Sequence, residues 1–355
     1  MPFWHKVVPI AAGGLLLAAW WLPGGTLLTT ASAVMLLAAV ISAVHHAEVV
    51  AHRVGEPFGT LVLALAITAI EVALIVSLML AGGAAKAPLA RDTIYATVMI
   101  ISSGVIGICL LLGGLRHREQ SFRIEGAGPA LAALTALATL VLIMPVFTVS
   151  APGASYTTTQ LVFVALSSLL VWCAFVFFQT VRHRDYFLPA TDPSNEELHA
   201  APPSTRESWL SFVLLVIALV AVVGLAKRIS PAIEAAVVAA GAPRAIVGII
   251  IAMVVLLPEG VSAIRAALNN RLQTSMNLAF GSALASIGLT IPVVVAVAVL
   301  LDLPLVLGLQ PKDMILLVLS LGVCSIGLGN GRTNMMQGAV QVVIFAAFLF
   351  LSLVP

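Results

Sequence analysis

Charge is what this sequence has least of. Asp, Glu, Lys and Arg make up 9% of its 355 residues, against about 25% in a soluble domain. A water-facing coat cannot be assembled from so few, which excludes an ordinary soluble fold. Cysteine is scarce as well. Cys109, Cys173 and Cys324 all fall in apolar stretches, and an odd trio in such settings gives neither a disulfide framework nor a zinc site. The net charge of +2 is spread over scattered basic residues, so no basic stripe is present to bind nucleic acid. No G-x-x-x-x-G-K-[ST] loop occurs, which excludes ATP drive within this chain. No G-x-S-x-G elbow occurs, and His45-His46 is not part of an H-E-x-x-H array, so hydrolase and zincin chemistry have no residues to use. The expectation is a protein that is not an enzyme and has no cofactor. Lys6 precedes the first apolar run, but no A-x-A-type cleavage site follows it, so that run is read as a retained helix.

What the chain has is apolar length. Hydrophobic residues make up 61% and mean hydropathy is +1.13. A membrane helix needs about 17–25 apolar residues. Windows of that kind lie near 7–22, 27–44, 58–81, 92–115, 127–149, 158–181, 208–225, 243–267, 274–301, 312–329 and 334–354. The fold class is therefore an all-α polytopic membrane protein of about 11 transmembrane helices. With the N-terminus inside, eleven basic residues fall on the inner side and six on the outer, among them Lys227 and Arg228 in an outer loop over 226–243 and Arg244 directly after it. That bias orients the chain N-terminus in, C-terminus out. The one long loop, over 182–207, is rich in proline and charge and reads as a cytoplasmic connector. Asn195–Leu198 offers a short amphipathic helix, and Asp192, Glu196 and Glu197 offer a regulatory cation sensor.

Set the first helix aside (1–26) and five helices remain on each side of that connector, over 27–181 and 208–355. The second helix of each half carries a glutamate deep in an apolar run: Glu71 in GTLVLALAITAIEVALIVSLML and Glu259 in IVGIIIAMVVLLPEGVSAI. The following helices align too. MIISSGVIGICL lies over LAFGSALASIGL, which puts Ser103 over Ser282 and Gly107 over Ser286. Five is an odd number, so the halves must cross the membrane in opposite senses. This is the inverted-repeat plan of secondary transporters.

An acid at bilayer depth costs about 2.5–3.5 kcal/mol on insertion scales and marks an ion or proton path. Two of them point to a paired cation site. A hard divalent cation takes about six to eight oxygen ligands. Glu71 and Glu259 can supply up to four oxygens, with Thr68, Ser103, Ser282 and Ser286 as supporting hydroxyls and opened backbone or water completing the shell. Pro258 removes a helix hydrogen bond beside Glu259. Without a cation the paired acids repel one another and take up protons; an incoming cation displaces them. One divalent ion against two protons is electroneutral. A third proton would draw on the membrane potential, about 2.3 kcal/mol per charge per 100 mV.

On these residues the chain resembles cation/proton exchangers of the calcium/cation antiporter superfamily, specifically the bacterial ChaA-like calcium/proton antiporters related to the CAX exchangers. AEVVAHRVGEPFGTLVLALAITAIEVALI and VLLPEGVSAIRAALNNRLQTSMNLAFGSALASIGLTIP look like the two signature segments, with Glu71 and Glu259 on the transported-ion glutamates. FRIEGAGPALAAL, FVFFQTVRHRDYF and GNGRTNMMQGAV are similar to further recurring segments. The sequence departs from related exchangers in two places. Ser102-Ser103 stands where they often have asparagine, and Thr68-Ala69-Ile70 stands where a GNA-type lead-in is common. The resemblance implies export of Ca2+ for H+ by alternating access, with Na+/H+ or K+/H+ exchange as the alternative on the same scaffold and a passive cation channel as a more distant one. It implies a bacterial inner (cell) membrane, with inorganic cations, protons and the lipid bilayer as partners and no nucleic acid.

Other polar residues are read more plainly. His45, Glu48 and His52 have helical spacing near the inner end of the second span. They form either an interfacial amphipathic turn or, with Glu56 in GEPFG, a cytoplasmic entrance. Gln179, Asn334 and Gln337 are expected to bond helices together.

Overall fold

The computed structural model describes residues 3–21, 25–55, 58–187, 203–243 and 245–354. In lipid only a structure that satisfies its own backbone groups survives, and the apolar runs are helical throughout. The long helices are α1 (Phe3–Trp21), α2 (Thr26–Val54), α3 (Phe58–Gly82), α4 (Leu89–His117), α5 (Ile124–Phe147), α6 (Thr158–Arg182), α7 (Thr205–Ala239), α8 (Ala245–Leu268), α9 (Leu272–Leu300), α10 (Pro311–Leu328) and α11 (Met335–Leu353). Ten of these are long and apolar enough to cross a membrane; the apolar part of α1, Trp4–Ala19, is shorter. A two-stranded antiparallel ladder joins β1 (Glu119–Ser121) to β2 (Arg332–Asn334), with Gln120 opposite Thr333.

Several helix starts are written in the local sequence. Thr157 with Gln160, Ser204 with Glu207, and Asn334 with Gln337 form capping boxes at α6, α7 and α11. Each pair satisfies amide groups that a helix start leaves open. Asn334 and Gln337 therefore serve their own helix instead of bonding two helices together. Two helices outrun the expected spans. α2 continues ten residues past 44, and α7 runs for 35 residues through Pro231. Lys227 and Arg228 thus lie inside α7 and not in an outer loop. Charged side chains near a helix end can reach toward the interface, so the polar residues did not stop either helix.

Three helices contain π-helical stretches: Ile100–Val105 in α4, Thr139–Ile143 in α5 and Phe178–Arg182 at the end of α6. Wider turns leave backbone carbonyls to be satisfied from outside. In α5 the Tyr156 hydroxyl donates to Leu140 O at 2.7 Å and the Leu309 amide to Leu142 O at 2.9 Å.

The chain divides into two compact units, and neither follows chain order. One comprises Met1–Ala81 and Asp192–Val247, hence α1, α2, α3 and α7. In it α2 and α7 pack along each other and α1 packs on both. Arg53 Nη2 donates to Thr205 Oγ1 at 3.0 Å, tying the end of α2 to the start of α7. The start of α1 is clamped to α2 at the carbonyl of His5, which accepts from Ser42 Oγ and His46 Nε2, each at 3.0 Å. The His5 ring stacks on His45 with centroids 3.6 Å apart.

The other unit comprises Gly82–Thr191 and Gly248–Pro355, with α4 at its centre. α11 runs antiparallel along α4 through a glycine seam. A Cβ at Gly107 would lie 2.9 Å from Gln341 Cβ, one at Gly114 would lie 2.4 Å from Met335 N, and one at Gly338 would lie 2.1 Å from Leu111 N. Only glycine permits backbones this close. α8 runs parallel to α4: Gly248 abuts Asp92 and Thr93, and Gly260 abuts Val105. α9 turns back along α8, where Ser275 Oγ donates to Ala263 O at 2.6 Å. At the end of this unit that holds the ladder, the last carbonyls of α8 are satisfied from β1 and α4. Gln120 Nε2 donates to Ala267 O and His117 Nε2 to Leu268 O, both at 2.9 Å. The Gln120 amide fits because Gly113 has no side chain; a Cβ there would sit 1.9 Å from its Oε1.

Candidate cation site

Glu71 and Glu259 are each buried, at 3% and 9% exposure. Each sits near the middle of a long apolar helix, and a carboxylate there is held only by polar neighbours.

In the first unit, α3 carries Glu71 with Thr68 one turn before it, and Thr68 is 4% exposed. Spacing of i and i+3 puts the hydroxyl and the carboxylate on neighbouring positions of one helix face.

The surroundings of Glu259 come from three helices of the second unit. Ser282 Oγ on α9 donates to Glu259 Oε1 at 3.2 Å. Ser286 is buried one turn further along α9. On α8 itself Pro258 has no amide to bond Val254 O, although the helix continues to Leu268. Gly260 lets α4 approach closely, since a Cβ there would already touch Val105 Cγ2 at 3.4 Å. Val105 ends the π-helical turn of α4, so the turn bearing Glu259 packs against the π turn bearing Ser103.

Ser103 is fully buried, and its hydroxyl meets Ser320 Oγ of α10 at 2.5 Å. Ser102 meets the same oxygen at 2.7 Å. Gln341 of α11 completes this cluster, donating from Nε2 to Ser320 O at 3.4 Å. Ser320 and Gln341 were not legible in the sequence. Each is a neutral polar residue within a mainly apolar helix, more than two hundred positions from Ser103. The one available signal was Gly107, aligned with Ser286 yet lacking a side chain; Gln341 fills the space over it.

A second polar group lies at the opposite end of α4 from the ladder. Arg91 pairs with Asp92 at 2.7 Å, and its Nη1 donates to Gly308 O at 3.1 Å. Lys312 Nζ donates to Leu351 O at 2.6 Å. Asp92 and Asp313 lie in the first turns of α4 and α10, where an acid is favoured by the helix dipole.

The candidate entrance residues are only partly gathered. His45 Nδ1 lies 4.0 Å from Glu48 Oε2, and His52 is exposed near the end of α2. These residues belong to α2 itself and not to a turn beyond it. His45 stacks on His5 of α1, a neighbour that spacing alone did not reveal. Glu56 and the connector acids Asp192, Glu196 and Glu197 lie outside the described residues. Among the described residues, no three or more His, Cys, Asp or Glu side chains are arranged to cage a metal.

A bundle of apolar helices with buried acids and hydroxyl clusters at helix breaks is the architecture of a membrane cation transporter. The chain belongs to the sodium/calcium exchanger protein family, whose model matches residues 24–181 and 210–354. It is 51% identical over 318 residues to the putative ionic transporter y4hA of Sinorhizobium fredii, covering 88% of this chain and 85% of that protein. It is 39% identical over 310 residues to the sodium-potassium/proton antiporter ChaA of Escherichia coli, covering 87% and 84%. A Ca(2+)/H(+) antiporter of Aphanothece halophytica matches at 24% identity over 71% of each chain. Among solved structures, native YfkE superposes with a TM-score of 0.74 at 18% identity over 99% of this chain and 100% of that one. The H+/Ca2+ exchanger CAX superposes with a TM-score of 0.71 at 14% identity over 98% and 88%. The helical membrane fold is that of the calcium/cation antiporters, as the two glutamate segments implied.

Proposed function

We propose that this cation/proton antiporter exports Ca2+ in exchange for H+ by alternating access, with Glu71 and Glu259 holding either the cation or protons. The observation that carries the reading is a buried carboxylate at mid-helix in each repeat, with Ser282 donating to one of them. Two carboxylates match the charge of one divalent cation and, with no cation bound, are neutralised by two protons. Thr68, Ser103, Ser282 and Ser286 are the supporting oxygens in this scheme, and the two five-helix halves act as inverted repeats. Relatives described as Ca(2+)/H(+) antiporters support the choice of calcium.

A second reading has its own support. Na+ or K+ exchange for H+ suits a site whose remaining donors are neutral hydroxyls, and the 39% identical relative is described as a sodium-potassium/proton antiporter. The membrane is taken to be a bacterial inner membrane with the N-terminus in the cytoplasm. In support, Arg116, Arg118, Arg123, Arg265, Arg271 and Arg332 all belong to the ladder end of the second unit, and basic residues favour the cytoplasmic side.

The test is made in inside-out vesicles holding an acid interior. Ca2+, Na+ or K+ is added, and collapse of the proton gradient is followed for the wild type, Glu71→Gln and Glu259→Gln. Calcium-driven collapse that both variants lose supports the leading reading. Collapse by Na+ or K+ alone selects the second. Undiminished coupled flux in either variant removes the mechanism.

A further inference from the structure

Three hydroxyls meet where α10 crosses the π turn of α4. Ser320 Oγ lies 2.7 Å from Ser102 Oγ and 2.5 Å from Ser103 Oγ, and all three side chains are fully buried. Each hydroxyl has one proton to give. Ser102 Oγ donates to Val98 O at 2.7 Å, so toward Ser320 it accepts. The proton of Ser320 is thereby committed to Ser102, and toward Ser103 it accepts. The chain has one direction: Ser103 to Ser320, Ser320 to Ser102, Ser102 to Val98 O. It ends at a backbone carbonyl that cannot turn. Gln341 Nε2 steadies the α10 backbone at the same residue through Ser320 O.

This direction has a chemical consequence for Ser103. A hydroxyl ligates a cation well only if its own proton points elsewhere, and a buried chain of this kind polarises each oxygen along it. The π turn that carries Ser103 also packs, through Val105, against Gly260 beside Glu259. We infer that Ser320 is a positioning residue for cation binding: it takes the proton of Ser103 and so presents Ser103 Oγ as a pure acceptor to the transported cation. The inference rests on the reading of Glu259 and its neighbours as the cation site. It extends that site to a residue that touches no cation.

The experiment uses the full chain in proteoliposomes with an imposed pH gradient. Half-saturating concentration and maximal rate are measured separately for Ca2+ and Na+, with thermal stability of each purified variant alongside. Ser320→Ala is expected to raise the half-saturating concentration of the transported cation about three- to tenfold, the worth of one hydrogen bond. Its maximal rate should change less than about twofold, and Ser320→Thr, which keeps the hydroxyl, should restore the wild-type value. Ser102→Ala should also raise the half-saturating concentration although Ser102 does not bond Ser103, because the acceptor that fixes the direction of the Ser320 proton is then gone. A wild-type half-saturating concentration in Ser320→Ala or in Ser102→Ala overturns the inference. So does a loss confined to stability and maximal rate. Should Ser320→Ala fail to fold, Ser102→Ala and Ser320→Thr decide by the same criteria. Glu259→Gln is run in parallel: wild-type exchange there defeats the site reading itself, a result separable from any outcome at Ser320.

Discussion

At the residue scale, the site depends on few groups, each with a separable effect. Ser282 donates to Glu259 Oε1 at 3.2 Å, and a hydrogen bond to a charged group is worth about 1.5–3 kcal/mol. Ser282→Ala is expected to weaken cation binding by about tenfold or more on that basis, read as the half-saturating concentration in vesicles, while leaving the helix intact. Ser286→Ala gives a comparison one turn further along the same helix. The glutamates could be picked out from sequence because an acid in an apolar run is costly and therefore conspicuous. Ser282 could be picked out because the repeat places it opposite that acid. Ser320 could not. A serine in an apolar membrane helix carries no signal of its own, and its meaning comes from two hydroxyls that the fold brings to it. Ser103 shows the same limit from the other side. The repeat matched it to Ser282, yet its hydroxyl meets Ser320 of α10 and not a glutamate.

At the element scale, the helices were legible because lipid leaves the backbone little choice, but their ends were not. Hydropathy marks where charge begins, and α2 and α7 carry His45, Glu48, Lys227 and Arg228 as helical residues. Ser102-Ser103-Gly104 marks a place where a helix can open locally, but nothing in IISSGV shows that the opening is a π turn. Packing of α11 on α4 gives a sharp prediction. Gly338→Ala would place a Cβ 2.1 Å from Leu111 N, and overpacking of this kind costs about 1–3 kcal/mol. The purified variant should unfold several degrees lower than the wild type; an unchanged midpoint would mean the helices stand further apart. Gln120→Leu should also destabilise, by about 1 kcal/mol, because Ala267 O then keeps only the Asn270 amide and Asn270 Oδ1 loses the donor that Gln120 Nε2 provides. Thermal unfolding followed by size-exclusion chromatography reads both.

At the scale of the whole molecule, each compact unit draws helices from both sides of the connector. Composition revealed the number of helices, but grouping into units is a property of packing. Orientation can be tested directly. In a Cys173→Ser background, which removes the exposed cysteine, Glu119→Cys lies on the ladder and Ser150→Cys on the loop after α5. A membrane-impermeant maleimide should label the first in inside-out vesicles and the second in intact cells. The reverse pattern would invert the assigned topology.

The seam between α4 and α11 also sets what substitution can do to this protein. Where two main chains touch, a one-residue slip drives a side chain into an amide, so the pair is keyed like a ratchet and must travel as one rod. In a saturation library, positions 107, 114 and 338 should tolerate a single letter, while outward-facing Val343 and Phe350 accept almost any greasy substitute.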